Sequence, residues 1–277
     1  MATAQLGELI VGDGCPVRLV GVINVSPESF YGGSVARDRS ALLHLAQRMV
    51  AEGADLLDVG AMSTAPYRPT MISEAEEVER MTAAIETLRR AVRVPISVDT
   101  TRAAVAAAAL AAGANVINDV TGLASDPKMA AVAAEAEGII LMAQAVEPSQ
   151  QPPTQMVQRL LRACLERARA TGIADERIVL DPGIGFYRHA ARPWDEIDCL
   201  IIRELNQLRA FDRPLLVGIS RKSFVGKLTD KDDPADRLLG SLAATAVAVY
   251  NGAALIRTHD VAAARDVVRV AERLRGA

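Results

Sequence analysis

The stretch VPISVDTTRAAVAAAALAAGANVIND, residues 94–119, contains two strand-like runs separated by an Ala-rich segment that is compatible with a helix. Both runs are almost continuously apolar, as expected for strands that are covered on both faces of a parallel sheet. Gly113 stands where the intervening helix should end. The first run closes on Asp99, and the second closes on Asn118 and Asp119. We therefore predict a strand–helix–strand unit that places these polar residues at one edge of a parallel sheet.

The same alternation recurs along the whole chain of 277 residues. Eight apolar runs predict strands at residues 17–25, 55–60, 94–99, 115–119, 138–143, 177–181, 214–219 and 253–258. Eight further segments predict helices at residues 38–52, 73–92, 102–112, 127–136, 154–172, 195–211, 236–251 and 261–275. No composition shift marks a boundary, so we predict one domain over residues 1–277. Eight alternating strands and helices in a chain of this length predict the α/β class and a (β/α)8 TIM barrel rather than a doubly wound sheet. The first ten or so residues are expected to form a short hairpin or plug at the bottom of the barrel.

The composition excludes several classes of protein. Half the residues are hydrophobic, the net charge is -3, and no long run carries one sign, which disfavours a nucleic-acid groove or an anionic-membrane surface. The apolar runs are far shorter than the roughly 20 residues of a membrane span, and the N-terminus lacks a signal-peptide pattern. Cys15, Cys164 and Cys199 fit neither a disulfide framework nor a zinc site. We expect a cytoplasmic protein with reduced, buried thiols and no nucleic-acid or membrane partner.

Polar residues cluster at the carboxyl ends of the predicted strands, where a TIM barrel carries its active site. Seven of the eight predicted strands end in a polar group or lead into one. The loops after the last two strands bring four basic residues near one another, at the position where many TIM barrels bind a phosphate. We therefore expect an anionic group there. The strand-end residues are Asn24, Asp58, Asp99, Asn118, Asp119 and Asp181, and the basic residues are Arg221, Lys222, Arg257 and His259.

Three of these residues, Asp99, Asn118 and Asp181, belong to the middle strands and should lie deep enough to be partly dehydrated. A buried carboxylate accepts two parallel hydrogen bonds well, so it suits the planar N–H edge of a pterin or a guanine. The alternative is structural, with Asp181 and Lys222 forming a buried salt bridge across the barrel mouth. The sequence leaves both possibilities open.

Two hydrophobic residues lie beside these polar groups in the sequence. The string DPGIGF at residues 181–186 is a glycine-rich strand exit where the backbone can approach a ligand, and Phe186 can shield one face of that ligand. Met142, at the end of the fifth predicted strand, is either packing or a thioether wall against a flat ring.

Seven motifs follow one another along the chain: GVINVSPESF (21–30), DLLDVG (55–60), SVDT (97–100), IND (117–119), DPGIGF (181–186), SRKSF (220–224) and RTHDV (257–261). In this order they resemble the dihydropteroate synthase family of pterin-binding TIM barrels. The resemblance implies a transferase of folate biosynthesis. Such an enzyme joins a dihydropterin methyl pyrophosphate to 4-aminobenzoate and releases pyrophosphate with the help of a magnesium ion.

The resemblance also implies roles for individual residues. Four of them, Asp99, Lys222, Arg257 and His259, would be catalytic, because their charges favour the electron-deficient pterin and the departing pyrophosphate. The pterin would be bound by Asp99, Asn118, Asp181 and Lys222, and its pocket would be lined by Met142 and Phe186. Asn24 would bind the magnesium ion, and Arg257 and His259 would bind the pyrophosphate. The aminobenzoate would be contacted by Phe30, Thr64 and Ser223.

The chain departs from the family pattern in loops that serve the second substrate. The family usually has an Asp after the Ser-Phe pair, whereas Phe30 here is followed by the string YGG (31–33). The family usually has an Arg after the Ser-Thr pair of the second loop, where this chain has Ala65. Arg68 is either a substitute for that Arg or a solvated loop charge. The family's His after the fifth strand is also missing, because Met142 is followed by Ala and Gln.

These departures keep two other functions open, a pterin-dependent one-carbon or methyl transferase and a non-catalytic pterin-binding protein. The expected partners are a small-molecule pterin and an aryl amine. Ala-rich amphipathic helices late in the chain predict a homodimer.

Overall fold

A computed structural model gives the architecture and describes residues 1–26, 38–62, 72–144, 150–188 and 192–276. Its strands are β1 (Thr3–Leu6), β2 (Leu9–Gly12), β3 (Arg18–Asn24), β4 (Leu56–Gly60), β5 (Ile96–Asp99), β6 (Val116–Asp119), β7 (Gly138–Met142), β8 (Ile178–Asp181), β9 (Leu216–Gly218) and β10 (Leu255–Thr258). Its helices are α1 (Arg39–Glu52), α2 (Glu74–Arg89), α3 (Ala103–Ala111), α4 (Met129–Glu135), α5 (Pro153–Ala170), α6 (Trp194–Arg203), α7 (Ser223–Thr229), α8 (Leu238–Tyr250) and α9 (Val261–Arg275).

The strands β3 to β10 form one parallel barrel. Consecutive strands from β3 to β8 pair in parallel, β10 pairs with both β3 and β9, and a parallel bridge between Leu180 and Leu215 joins β8 to the start of β9. Every strand therefore has two neighbours, and the predicted (β/α)8 TIM barrel is confirmed. The doubly wound alternative is wrong, because an open sheet would leave two edges without partners.

The hairpin predicted before the barrel is also confirmed. Strands β1 and β2 pair antiparallel, and Leu6 and Val11 pack against one apolar cluster inside the barrel. That cluster takes one inward-facing side chain from most of the barrel strands, at their amino-terminal ends: Val20, Leu56, Val116, Ile140, Val179, Leu216 and Leu255. The hairpin thus closes the end of the barrel that is opposite to the predicted site.

The alternation of side chains along each strand decides which residues line the barrel. Val20 and Leu56 face inward in the apolar cluster, so the residues two and four positions further along point inward as well. By this alternation the side chains of Asp58 and Asn24 point to the inside of the barrel. The strand register gives the same inward direction to five residues of the other strands: Asp99, Asn118, Met142, Asp181 and Arg257. Asp119 has the opposite parity. Its carboxylate accepts hydrogen bonds from Thr121 and Leu123 and shapes the loop after β6.

The helices follow the predictions closely, with two exceptions. The segment predicted as one helix over 195–211 divides, because α6 ends at Arg203 and a 3-10 helix covers Leu205–Phe211. Helix α7 was not predicted, since its seven residues follow directly on the polar string SRKSF and give no clear helical period. Both exceptions border the carboxyl ends of β8 and β9.

The described residues bear on the expectations about membrane spans and cysteines. None of the described helices is long and apolar enough to cross a membrane. The three cysteines are free thiols, but only Cys164 is buried. The expectation of buried thiols is therefore wrong for Cys15 and Cys199, which are partly exposed.

Candidate active site

A network of four inward-facing side chains lies at the carboxyl end of the barrel. Asp58 Oδ2 accepts hydrogen bonds from Arg257 Nε at 2.6 Å and from Asn118 Nδ2 at 3.1 Å. Arg257 Nη2 also donates to Asp99 Oδ2 at 2.8 Å. The single guanidinium therefore bridges two carboxylates from neighbouring strands.

Each carboxylate of this network keeps one oxygen that no described residue satisfies. Asp58 Oδ1 and Asp99 Oδ1 are both buried, and neither accepts a hydrogen bond within the described parts of the chain. A buried acceptor without a partner costs free energy, on the order of 1–3 kcal/mol, so such atoms are rare unless a ligand satisfies them. The two atoms mark this end of the barrel as a site for a molecule that carries N–H donors or a cation.

Burial also shifts the charges of the network. It raises the pKa of Asp99 to about 7 against the opposing effect of Arg257, and the nearby carboxylates of Asp58, Asp119 and Glu77 add to the rise. Burial lowers the pKa of Arg257, but the charges of Asp58 and Asp99 outweigh it, and the pKa is raised overall. The guanidinium therefore stays charged, while the proton on Asp99 is easily gained or lost near neutral pH.

The exit of β8 forms the second part of the site. Asp181 Oδ1 accepts the backbone N–H of Gly183 at 2.8 Å, and burial raises the pKa of Asp181 against the opposing charge of Lys222. Gly183 has φ +77°, and a Cβ added there would lie 2.2 Å from the backbone oxygen of Ala143. Only glycine fits such a position without moving the backbone. The turn therefore fixes Asp181 beside Met142, its partner in the strand register.

Lys222 lies over this turn but does not form an ion pair with Asp181. Its ammonium donates to the backbone oxygen of Ile184 and lies 5.1 Å from the centroid of the Phe186 ring. Among the ion pairs of the described residues, all within 4.0 Å, none joins Lys222 to Asp181, so the salt-bridge alternative is wrong. Burial lowers the pKa of Lys222 to about 8, although the charges of Asp181 and Asp198 oppose the shift.

The four basic residues that were predicted to lie at one anion site have different environments in the structure. Arg221 is buried, and its guanidinium forms two 2.8 Å bonds to Asp260 and bonds to the backbone oxygens of Pro234 and Ala235. Its donors are thus used within the fold, and the expectation that Arg221 helps to bind an anion is wrong. Arg257 lies inside the barrel and Lys222 at its mouth, so these two remain the charges that face the site.

His259 enters the site as a neutral ring. Its Nδ1 lies 2.9 Å from Ser220 Oγ, and burial lowers its pKa to about 3, with the positive charges of Arg257, Arg221 and Lys222 adding to the shift. A neutral imidazole offers one N–H donor and one acceptor rather than a second positive charge.

The structure does not describe every predicted site residue. Phe30 and Thr64 lie outside the described residues, as do Tyr31, Ala65 and Arg68. Ser223 is described, begins α7, and its Oγ accepts a hydrogen bond from Arg188.

Two residues of the site, Asp58 and Asp198, received no binding or catalytic role from the sequence, although Asp58 was one of the polar strand ends. Asp58 lies near the end of a buried strand at a position whose side chain points into the barrel, so its position in the sequence was enough to predict that it faces the site. Asp198 is buried on α6, and its Oδ1 accepts the backbone N–H of Gly185 at 2.8 Å. The position of Asp198 in an amphipathic helix does not predict burial at the site, because most carboxylates in such helices face solvent.

Comparison with known proteins matches this geometry to one family. The family model described as pterin binding enzyme matches residues 20–259. The dihydropteroate synthase of Synechocystis sp. is 38% identical over 97% of this chain and 94% of its own length. The solved structure of Yersinia pestis dihydropteroate synthase with a sulfonamide drug complex has a TM-score of 0.89 and 33% identity and covers 99% of both chains.

The chain belongs to the dihydropteroate synthase family. Dihydropteroate synthases are transferases, so the barrel is that of an enzyme, as the sequence motifs indicated. A third relative among the dihydropteroate synthases is that of Xanthomonas albilineans, whose structure was solved with 4-aminobenzoic acid. It has a TM-score of 0.88 and 33% identity over 99% of this chain and 98% of its own. The similarity spans the plug, the barrel and the helices together.

Proposed function

We propose that this transferase condenses a dihydropterin methyl pyrophosphate with 4-aminobenzoate and releases pyrophosphate. The observation that carries the proposal is a pair of buried carboxylate oxygens, on Asp58 and Asp99, that accept no hydrogen bond from the described residues and lie beside a cation, Arg257, at the active end of the barrel. The name of the family model and the 4-aminobenzoic acid in the Xanthomonas albilineans structure support the same substrates.

The pterin ring is assigned to the inward-facing polar residues. Asp99, Asn118 and Asp181 offer acceptors around the barrel axis, and a pterin presents adjacent N–H groups along one edge. Lys222 donates to the ring from the mouth, where Phe186 and Met142 supply apolar surface against its faces. Asp181 keeps one oxygen on the Gly183 amide, which leaves the other oxygen for the ligand.

The departing pyrophosphate is assigned to Arg257 and His259. The reaction breaks the bond between the methylene carbon and the pyrophosphate oxygen and forms a bond from that carbon to the amine nitrogen, which then loses a proton. Arg257 stabilises the negative charge on the pyrophosphate, and Asp99 and Asp181 stabilise the electron-deficient pterin. The neutral His259 donates a hydrogen bond. No nucleophile from the protein is needed.

A magnesium ion fits the oxygen atoms next to this anion site. The position of a Cβ on Gly60 would lie 3.6 Å from Asn24 Oδ1 and 4.0 Å from Asp99 Oδ2, so the two side chains approach each other across Gly60. The described residues hold no cluster of three or more Asp, Glu, His or Cys residues that could bind a metal ion. Asn24, with Asp99 beside it, would hold the ion. When bound, magnesium would neutralise charge on the pyrophosphate.

The second substrate is assigned to the mouth of the barrel. Ser223 lies there beside Lys222, and we keep Phe30 and Thr64 as predicted contacts. A methyl transferase remains the main alternative, since the altered loops remove charges that the aminobenzoate step uses in the family. The anion site formed by Arg257 and His259 favours the synthase, because a methyl transferase releases no pyrophosphate.

We further propose that residues 1–277 form one domain and that two copies form a dimer. One apolar core spans residues 17–271, which supports a single domain. On α8, Leu239, Val247 and Tyr250 are 73%, 47% and 58% exposed and share one face of the helix. Such an apolar face is typical of a protein interface. The cytoplasmic location stays a prediction.

We expect pterin affinity to be greatest between about pH 7 and about pH 8. Below the first value Asp99 is protonated and loses an acceptor, and above the second Lys222 loses its charge. Calorimetric titration with the pterin from about pH 5 to about pH 10 measures both limbs. Asp99→Asn should remove the acidic limb, and Lys222→Arg should remove the alkaline limb, because arginine stays charged throughout. Affinity that is independent of pH would contradict the assignment of both residues.

The proposed function is tested by product formation. The wild-type protein is incubated with the dihydropterin pyrophosphate, 4-aminobenzoate and magnesium, and the condensed product is identified by its mass. Arg221→Lys is the matched control, because the guanidinium of Arg221 bonds to Asp260 and to the backbone oxygens of Pro234 and Ala235. Loss of product in Arg257→Lys but not in the control would support Arg257 as the anion-binding charge.

A further inference from the structure

One peptide group in the exit of β8, the unit that joins Ile184 to Gly185, is bonded by a charged side chain at each end. Its carbonyl oxygen accepts the ammonium of Lys222, and its N–H donates to Asp198 Oδ1 at 2.8 Å. The C=O and N–H of a trans peptide point in opposite directions, so the cation and the carboxylate lie on opposite sides of one planar group. Both charges match the end of the peptide dipole that they touch, and hydrogen bonds in such a chain polarise one another.

Gly185 allows Lys222 to lie directly against this peptide group. Gly185 has φ +86°, and a Cβ added there would lie 2.9 Å from Lys222 Cδ and 3.5 Å from Lys222 Nζ. An ammonium has three N–H donors, and within the described part of the chain Lys222 uses one of them, on the backbone oxygen of Ile184. The other two donors are left for a ligand at the mouth of the barrel.

Asp198 is buried without an ion-pair partner of its own among the described residues. It is 1% exposed on α6, and its second oxygen, Oδ2, is buried and accepts no hydrogen bond from those residues. Burial of a half-satisfied carboxylate costs free energy, so an apolar residue would be more stable here unless the charge acts on a neighbour. The neighbour that the hydrogen bonds indicate is Lys222, on the far side of the peptide group.

The electrostatics around the pair agree with this arrangement. Burial is the largest effect on both groups: it lowers the pKa of Lys222 to about 8 and raises the pKa of Asp198 to about 6. Each of the two charges opposes the shift of the other. The remaining charged or titratable groups that interact with the pair are Asp181, Tyr187, Arg188, Asp195, Cys199, Arg257 and His259.

We propose that Asp198 is a positioning residue: acting through the peptide group of Ile184 and Gly185, it keeps Lys222 charged and holds the ammonium at the pterin. The contact of Lys222 with the pterin rests on the proposed function. Because Asp198 bonds to the backbone and not to the ammonium, it balances the charge of Lys222 without occupying the donors that the ligand needs. It also leaves the free oxygen of Asp181 to the pterin.

The test first follows Lys222 without any ligand. Acetic anhydride acetylates only uncharged amines, so acetylation of Lys222 as a function of pH, measured by mass spectrometry, gives the midpoint of its titration. Asp198→Asn keeps an oxygen for the Gly185 N–H and loses the charge, so this midpoint should fall below the wild-type value of about 8. Asp195→Asn is the matched control on the same helix, because Asp195 pairs with Lys227 at 2.6 Å, and it should leave the midpoint nearly unchanged.

Calorimetry with the dihydropterin pyrophosphate, in the absence of the amine, then measures the effect on binding. Asp198→Asn should weaken binding less than about twofold at about pH 6, where Lys222 stays charged in both proteins, and about fivefold or more at about pH 9. In a Lys222→Arg background the same substitution should have an equal effect at both pH values, because arginine stays charged throughout.

The outcomes separate the inference from the proposed function. An unchanged midpoint of Lys222 in a folded Asp198→Asn protein, or a loss of affinity that is independent of pH, would overturn the role of Asp198. If thermal unfolding shows that Asp198→Asn does not fold, Lys222→Met tests the pair from the other side. The Asp198 carboxyl, followed by carbon-13 NMR, should then titrate above its wild-type midpoint of about 6, and an unchanged midpoint would overturn the inference. A wild type in which Asp198 shifts Lys222 and which binds no pterin pyrophosphate would overturn the proposed function alone.

Discussion

Asp181→Asn is expected to weaken pterin binding by about thirtyfold or more, equivalent to at least about 2 kcal/mol. The Asn oxygen can still accept the Gly183 N–H, which is bound at 2.8 Å in the native turn, so the backbone should keep its shape. The other carboxylate oxygen, however, is replaced by an NH2 group that presents a donor to the donors of the pterin edge. Calorimetry with a pterin ligand measures the loss directly.

Asp119→Asn is the matched control for this variant. Asp119 also ends a barrel strand and is also buried, but its oxygens accept hydrogen bonds from Thr121 and Leu123 in the loop after β6. The substitution should lower the melting temperature and leave pterin affinity unchanged in the folded protein. Equal losses of affinity in both variants would mean that the pocket depends on strand-end carboxylates in general rather than on Asp181.

Asp58→Ala is expected to have the largest effect on stability. It removes the shared acceptor of Arg257 and Asn118 and leaves the buried guanidinium with Asp99 as its remaining carboxylate partner in the network. Removing one partner of a buried ion pair typically costs about 3–5 kcal/mol, because the other charge stays buried. Chemical denaturation of the wild type and the variant measures the change in the free energy of unfolding.

The double variant Asp58→Ala, Arg257→Leu separates the ion pair from simple loss of packing. Once Arg257 no longer carries a charge, removal of Asp58 should cost much less than it does in the wild-type background. Strict additivity of the two single effects would contradict a coupled pair.

The barrel could be predicted because each of its elements carries its own signal. The strand at 55–60 is apolar and ends in Asp58 and Gly60, and Gly53 ends the preceding helix with φ +109° and backbone bonds to Met49 and Val50. Such local patterns repeat eight times, and chain length then favours closure. The pairing of β8 with β9, which closes the barrel, required the structure, because closure is a long-range property.

The inward set of site residues could be predicted for the same reason. Strand-end position and parity together place Asp99, Asn118 and Asp181 in the barrel, and these are short, regular signals. Arg221 and Lys222 stand next to each other in the sequence and yet serve different purposes. Arg221 has a left-handed backbone with φ +56°, which turns it to Asp260 while Lys222 faces the mouth.

The charge state of His259 and the contact of Asp198 with the loop after β8 could not be predicted from the sequence. The neutral form of His259 follows from its burial and from the charges of Arg221 and Lys222, which reach it from the neighbouring strand end, as well as from that of Arg257. Asp198 reaches the Gly185 amide from α6, thirteen residues further along the chain. In both cases the decisive neighbours meet only in the folded barrel, so neither composition nor periodicity contains the information.

Pyrophosphate release from the dihydropterin pyrophosphate, measured with and without 4-aminobenzoate, tests the central claim most directly. The account predicts rapid release in the presence of both substrates and magnesium, one condensed product for each pyrophosphate, and almost none without the amine. It also predicts that Arg257→Lys slows this release while the pterin still binds. Tight pterin binding by the wild type with no release of pyrophosphate at saturating aminobenzoate would contradict it.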